Sequence, residues 1–141
     1  MNKFLLIIII VATILSCSSN SLFGQKKAVL YAYKFNSFTK IPITEKSIKD
    51  GYSFIKKING NVFFEKIDSL FEKKIPLTED SIISNQIRIY IHSCRRNLVI
   101  SKDLYLKYEN KYYVLDKEML QIILEYIPIE DRKLYTPIGF R

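Results

Sequence analysis

The sequence predicts an α+β domain: an antiparallel β-meander of about four to five strands, with two to three helices packed on one face. Three observations carry this expectation. Apolar residues recur at three-and-four spacing over 62–75 and over 119–127, the period of an amphipathic helix. Between residues 86 and 115 the period falls to two, and turn-forming residues separate the short runs. The two kinds of segment are grouped along the chain rather than alternating, which favours helices gathered on an antiparallel sheet.

Ala28 to Phe38 is rich in β-formers and reads as a first strand. Pro42 and Thr44 mark a break and a candidate helix cap. From Glu45 to Ile58 the residues Ile48, Tyr52, Ile55 and Ile58 follow helical spacing, although Gly51 inside that run costs a helix about 1 kcal/mol against alanine. Asn59-Gly60 has two readings. It is a hairpin turn between 53–58 and 61–67, or a helix stop after which Asn61 caps the next helix. The second is preferred, because Val62, Phe63, Ile67, Leu70, Phe71 and Ile75 line one helical face and charged residues fill the other. Pro76 ends that helix, and Thr78-Glu79-Asp80 reads as a loop or a short helical turn.

From Gln86 to His92 the chain alternates, with Ile87, Ile89 and Ile91 to one side and Arg88, Tyr90 and His92 to the other. Residues 93–97 turn, 98–101 and 104–108 are strands, Glu109-Asn110 is a tight turn, and 111–115 is a last strand. Asp116 caps a final helix from Lys117 to Ile127, which Pro128 stops. The tail 129–141, with Pro137 and Gly139, reads as irregular.

The N-terminus is organised differently. Met1-Asn2-Lys3 precedes an unbroken apolar run from Phe4 to Ala12, continued by Thr13-Ile14-Leu15 and closed by Ser16-Cys17. Spanning a bilayer takes roughly 20 apolar residues, and this run has the length of a secretory signal's apolar core instead. Ile14-Leu15-Ser16-Cys17 resembles the lipobox of bacterial lipoproteins. The departures are mild: Ile14 stands where Leu is commonest and Ser16 where Gly or Ala is. The resemblance covers residues 1–17 alone. It implies lipidation of Cys17, cleavage before it, acylation of the new amino end, and a membrane-anchored place in the bacterial envelope, at the outer membrane or facing the periplasm. The organisation expected is a signal peptide over 1–16, a lipidated cysteine and flexible tether over 17–27, one α+β domain over 28–128, and the tail over 129–141.

Cleavage there leaves 125 of 141 residues, enough for one domain with a real core. It removes one basic side chain, Lys3, which lowers the formal charge from +8 to +7. That surplus favours anionic surfaces such as lipid headgroups, acidic glycans or acidic proteins. Nucleic acid is not expected as a partner of an exported chain. With Cys17 assigned to lipid, no intramolecular disulfide is expected, and Cys94 reads as a small buried hydrophobe or a thiol open to intermolecular pairing.

Motifs that carry chemistry are scarce. His92 is the sole histidine and stands two residues from Cys94. In a continuous strand their Cα atoms lie roughly 6.5–7 Å apart, too far for the contact of about 3 Å that a nucleophile and its base require. No zinc spacing, calcium loop, Gly-rich phosphate loop or G-x-S-x-G elbow is present, so no catalytic residue, metal ligand or cofactor is assigned.

Tyrosine is abundant, with ten in the chain and five between residues 90 and 113. Arg88, Tyr90, His92, Tyr105 and Lys107 are the candidate binding face, because tyrosine and arginine suit interface anchors. Most of the tyrosines read as packing under the helices, with Tyr90 the leading exception. The function expected is a small lipid-anchored binding or interaction module of the envelope. The alternative is an inhibitor or immunity-type protein against an envelope-acting toxin or hydrolase. A cysteine-dependent enzyme is third and rests on His92 and Cys94 alone.

Overall fold

The computed structural model describes residues 26–78 and 86–140. The lipobox-like segment, Cys17, most of the tether and part of the 78–80 loop lie outside the described residues. The elements are β1 (Lys27–Ala32), α1 (Ile48–Gly51), β2 (Phe54–Asn59), α2 (Gly60–Phe71), β3 (Ile87–His92), β4 (Asn97–Ser101), β5 (Tyr105–Tyr108), β6 (Lys111–Val114) and α3 (Lys117–Leu124). They form an α+β fold around a six-stranded sheet of order β2-β1-β3-β4-β5-β6, with every neighbouring pair antiparallel.

The strand count exceeds expectation because residues 54–59 are a strand rather than the end of a helix. Gly51 ends the helical run after a single turn, and Tyr52 leaves it in extended conformation. Phe54 to Asn59 then pairs along all of β1. Asn59-Gly60 is therefore neither a hairpin nor a break between helices. It is a strand-to-helix junction, in which the Asn59 side chain accepts a hydrogen bond from the Val62 backbone and caps α2. From β3 to β6 the meander runs as the alternation suggested. Its last turn uses Glu109 and Asn110 at φ of 50° and 59°, the left-handed region that a tight two-residue hairpin needs.

The larger core lies on one face of the sheet. Leu30, Ile89, Ile91, Leu98, Ile100 and Leu106 point there and are fully covered. Phe63, Ile67 and Phe71 of α2 and Met119, Leu120 and Ile123 of α3 lie against them. Each such side chain contributes about 1.5–3 kcal/mol by leaving water. Phe71 stacks on Tyr108 at 4.9 Å and meets Tyr113 at 4.3 Å, so these two tyrosines are core residues. One polar cluster pins the rim. Arg96 holds Asp68 of α2 through both guanidinium ends at 2.9 and 2.5 Å, Tyr108 donates to the same carboxylate at 2.5 Å, and Glu109 accepts from Arg96 Nε at 2.9 Å.

The helices do not all share that face. Residues 43–52, including α1, lie on the opposite face, where Ile43 and Ile48 cover Ile87, Tyr90 and Val99 in a second, smaller core. Ile87 donates its N–H to the Ile43 carbonyl at 2.8 Å, which fastens this cover to β3.

The C-terminal segment, expected to be irregular, forms 3-10 turns at Arg132–Tyr135 and Ile138–Phe140. Tyr135 is only 3 % exposed, sits against Phe54 at 5.8 Å and hydrogen-bonds the Ser53 hydroxyl at 3.2 Å.

Cys94 stands in the β3–β4 turn. Ser93 closes that turn by donating its N–H to the Arg96 carbonyl and accepting from the Arg96 N–H on its hydroxyl, which leaves position 94 exposed rather than buried.

Candidate functional site

The face formed by Arg88, Tyr90, His92, Tyr105 and Lys107 is not assembled as the alternation implied. The pairing of β3 with β4 shifts register between Ile87 and Ile89, so Arg88 is the extra residue of a β-bulge. The bulge puts Ile87 in the smaller core with Tyr90, while Ile89 and Ile91 stay in the larger one. It also drives the Arg88 side chain inward, where it is fully buried. Its Nε donates to the Phe35 carbonyl at 3.3 Å, Nη1 to the Ile87 carbonyl at 3.3 Å and to Gln86 Oε1 at 3.2 Å, and Nη2 to the Ser37 carbonyl at 3.1 Å. The Tyr33 ring lies 5.5 Å below the guanidinium. Burial lowers the Arg88 pKa, opposed by the charges of Tyr33 and Asp103. Arg88 therefore organises the loop after β1 and is not a surface contact.

Tyr90 is 3 % exposed beneath Ile43 and Ile48, which corrects its expected exposure. Its ring stacks on Tyr31 at 6.2 Å and on His92 at 5.7 Å, with the Lys49 ammonium 5.2 Å from its centre. Its hydroxyl meets His92 Nδ1 at 3.3 Å. Burial first, and then Glu45, push the Tyr90 phenol up. Burial and the Lys49 charge push the His92 imidazole down, with Glu45 opposing.

Of the five residues, only Tyr90 and His92 touch. Lys107 lies in the same cross-sheet row as Tyr90, but Val99 stands between them. It leans instead on Tyr112 at 5.7 Å. Tyr105 is one row further along, opposite Val114. Among the described residues no three His, Cys, Asp or Glu side chains gather to hold a metal ion. No helix among them is long and apolar enough to cross a membrane.

A different concavity is built on α3. The positions 117, 120, 121, 124 and 125 fall on one stripe of that helix. Its neighbouring stripe, with Met119 and Ile123, faces the sheet. The two C-terminal 3-10 turns run beside the first stripe and leave a cleft of about 410 Å³ between them, within the roughly 300–1,000 Å³ of small-molecule sites. Leu120, Leu124 and Phe140 give it apolar walls, and Lys117, Arg132 and Lys133 bring positive charge.

Arg132 is fixed by its Nε, which donates to the Ile127 carbonyl at 3.1 Å, and by Thr136, whose hydroxyl donates to the Arg132 carbonyl at 2.8 Å. Its two Nη groups carry no protein hydrogen bond among the described residues, nor does the Lys117 ammonium enter an ion pair there. Glu125, the acidic member of the lining, is engaged by Lys66 of α2 at 2.8 Å. That partner raises the Lys66 pKa by hydrogen bond and charge.

Sequence reasoning missed this cleft because its two walls come from separate segments. The available signal was an apolar arc on α3 wider than one buried face requires, followed by Arg132-Lys133 and Phe140 in a tail read as irregular. Comparison with protein-family models, curated proteins and solved structures finds no match for this chain.

Proposed function

We propose that this chain is a lipid-anchored binding module of the bacterial envelope. The binding half of the reading is carried by one observation: a cleft on α3 with apolar walls, lined also by the Arg132 Nη groups and the Lys117 ammonium, which no other described residue engages. The formal charge of +8 agrees with an anionic ligand or surface. The anchoring half rests on residues 1–17, where a basic start, an apolar run and a small residue precede Cys17 in the order that resembles a lipobox.

The chain has two cysteines, and a Cys17 sulfur held in a thioether is closed to a disulfide with Cys94. The two covalent forms are separated by mass spectrometry of the full chain taken from membranes. The expected result is a lipid-modified peptide beginning at Cys17, with palmitate incorporation that Cys17→Ser abolishes. A Cys17–Cys94 disulfide as the main form, or a Cys17→Ser chain still processed and membrane-bound, overturns the anchor.

A further inference from the structure

We infer that the α3 cleft binds a single-chain amphiphile with an anionic head group, a carboxylate or a phosphate. This rests on the binding-module reading and names the ligand class of its cleft. The walls suit an apolar body: Leu120, Leu124 and Phe140, with the aliphatic stems of the cationic side chains, supply the carbon surface of the lining. Among the lining residues the uncharged polar side chains are Gln121 and Thr136, and the Thr136 hydroxyl already donates to Arg132.

The mouth requires a negative head. Arg132 is oriented by its Nε and presents both Nη groups without a protein acceptor among the described residues. A planar guanidinium held in this way suits a two-oxygen head group, carboxylate or phosphate alike. Lys117 adds a second positive charge at the start of α3. Glu125, which would repel such a head, is offset by Lys66. Burial of a chain against two leucines and a phenylalanine supplies affinity, and the cations select the sign of the head.

The test uses the purified full chain. A dodecanoic acid carrying a photoreactive diazirine is added, the sample is irradiated, and the labelled peptides are mapped by mass spectrometry. Label is expected on the peptides holding Leu120–Leu124 and Phe140, and is expected to be displaced by excess dodecanoate. Lys117→Glu reverses a charge at an exposed position and lowers labelling about fivefold. Leu124→Trp fills the cleft and abolishes it, with circular dichroism confirming a native spectrum. Stronger displacement by dodecyl phosphate than by dodecanoate assigns a phosphate head, and the reverse assigns a carboxylate; both support the inference. Equal displacement by dodecylamine, label spread evenly along the chain, or labelling indifferent to both substitutions overturns it. Failure of the anchor is read separately, from palmitate incorporation at Cys17, and leaves this result intact.

Discussion

Gly60→Ala should destabilise the domain, although helix propensity alone predicts the opposite. Gly60 is the first residue of α2, and alanine there gains up to about 1 kcal/mol in helix propensity. Its φ is not positive, so the glycine is not needed for backbone conformation. It is needed for space. A Cβ on Gly60 would lie 2.5 Å from the Lys26 carbonyl oxygen and 3.2 Å from the Ala28 Cβ. Carbon atoms prefer about 3.5–4.0 Å. The obstacle is the backbone at the start of β1, where Lys27 and Ala28 pair with Asn59 and Ile58 of β2. Relief means parting α2 from β1 and stretching the 2.7 Å hydrogen bond from the Gly60 N–H to the same Lys26 oxygen.

Overpacking of this kind costs typically 1–3 kcal/mol, and a weakened hydrogen bond about 1 kcal/mol more. Against the propensity gain the net is a loss of about 2 kcal/mol, or roughly 5–10 °C in Tm for a domain of this size. Thermal unfolding by far-ultraviolet circular dichroism measures it. Gly51→Ala is the internal control, since nothing lies within 4 Å of a Cβ there. It should be neutral or stabilising by up to about 1 kcal/mol. A Gly60→Ala protein as stable as wild type, or a Gly51→Ala protein that loses as much, refutes the steric argument.

Arg88→Met should cost about 2–3 kcal/mol in urea unfolding and speed amide exchange over residues 35–38. It strips donors from the Phe35, Ile87 and Ser37 carbonyls, each loss being worth about 1–3 kcal/mol, while relieving part of the burden of a buried charge. Unchanged exchange in that loop would show that the guanidinium does not hold it. Burial raises the Asp116 carboxyl, but Lys74 and the Met119 N–H outweigh it and hold the pKa below 3.8. The stability this contributes is complete above about pH 4 and disappears as pH falls through the lowered native value. Asp116→Asn keeps the cap of α3, so it should cost about 0.5 kcal/mol at pH 7 and flatten the acid limb of the pH–stability curve; an identical acid limb rules the pair out. His92 favours its neutral form in the fold, so its contribution is complete above pH 6.5 and declines as pH falls towards its lowered native pKa. Proton NMR of this one histidine should show a midpoint below 6.5 that rises in Lys49→Gln; a wild-type midpoint at or above 6.5 contradicts the geometry.

The segment from Gln86 to Asp116 was legible in the sequence for a physical reason. Central strands with one deeply buried face must alternate, and Glu109-Asn110 and Asp116 are suited to the turn and the cap they make. The 45–58 segment was not. β2 is an edge strand whose Ile55, Lys56 and Lys57 are all exposed, so no alternation was imposed on it, and Ile48, Ile55 and Ile58 matched a helix by accident of spacing. Arg88 shows a different limit. It was read as one step of a simple alternation, but a bulge is a property of two strands together, and neither strand records it alone. The α3 cleft is of the same kind, because Leu124 and Phe140 meet through the return of the C-terminal turns.

The place of β1 in the sheet has a mechanical consequence. Lys27 to Ala32 is an interior strand, paired with β2 along its whole length and with β3 over Val29 to Ala32. Any traction arriving through the residues before Lys26 enters the domain at the end of this strand and pulls along its axis. The ladder bonds on both sides run perpendicular to that pull, so they share the load in shear instead of parting one by one. The domain is thus gripped at a point where tension is resisted collectively.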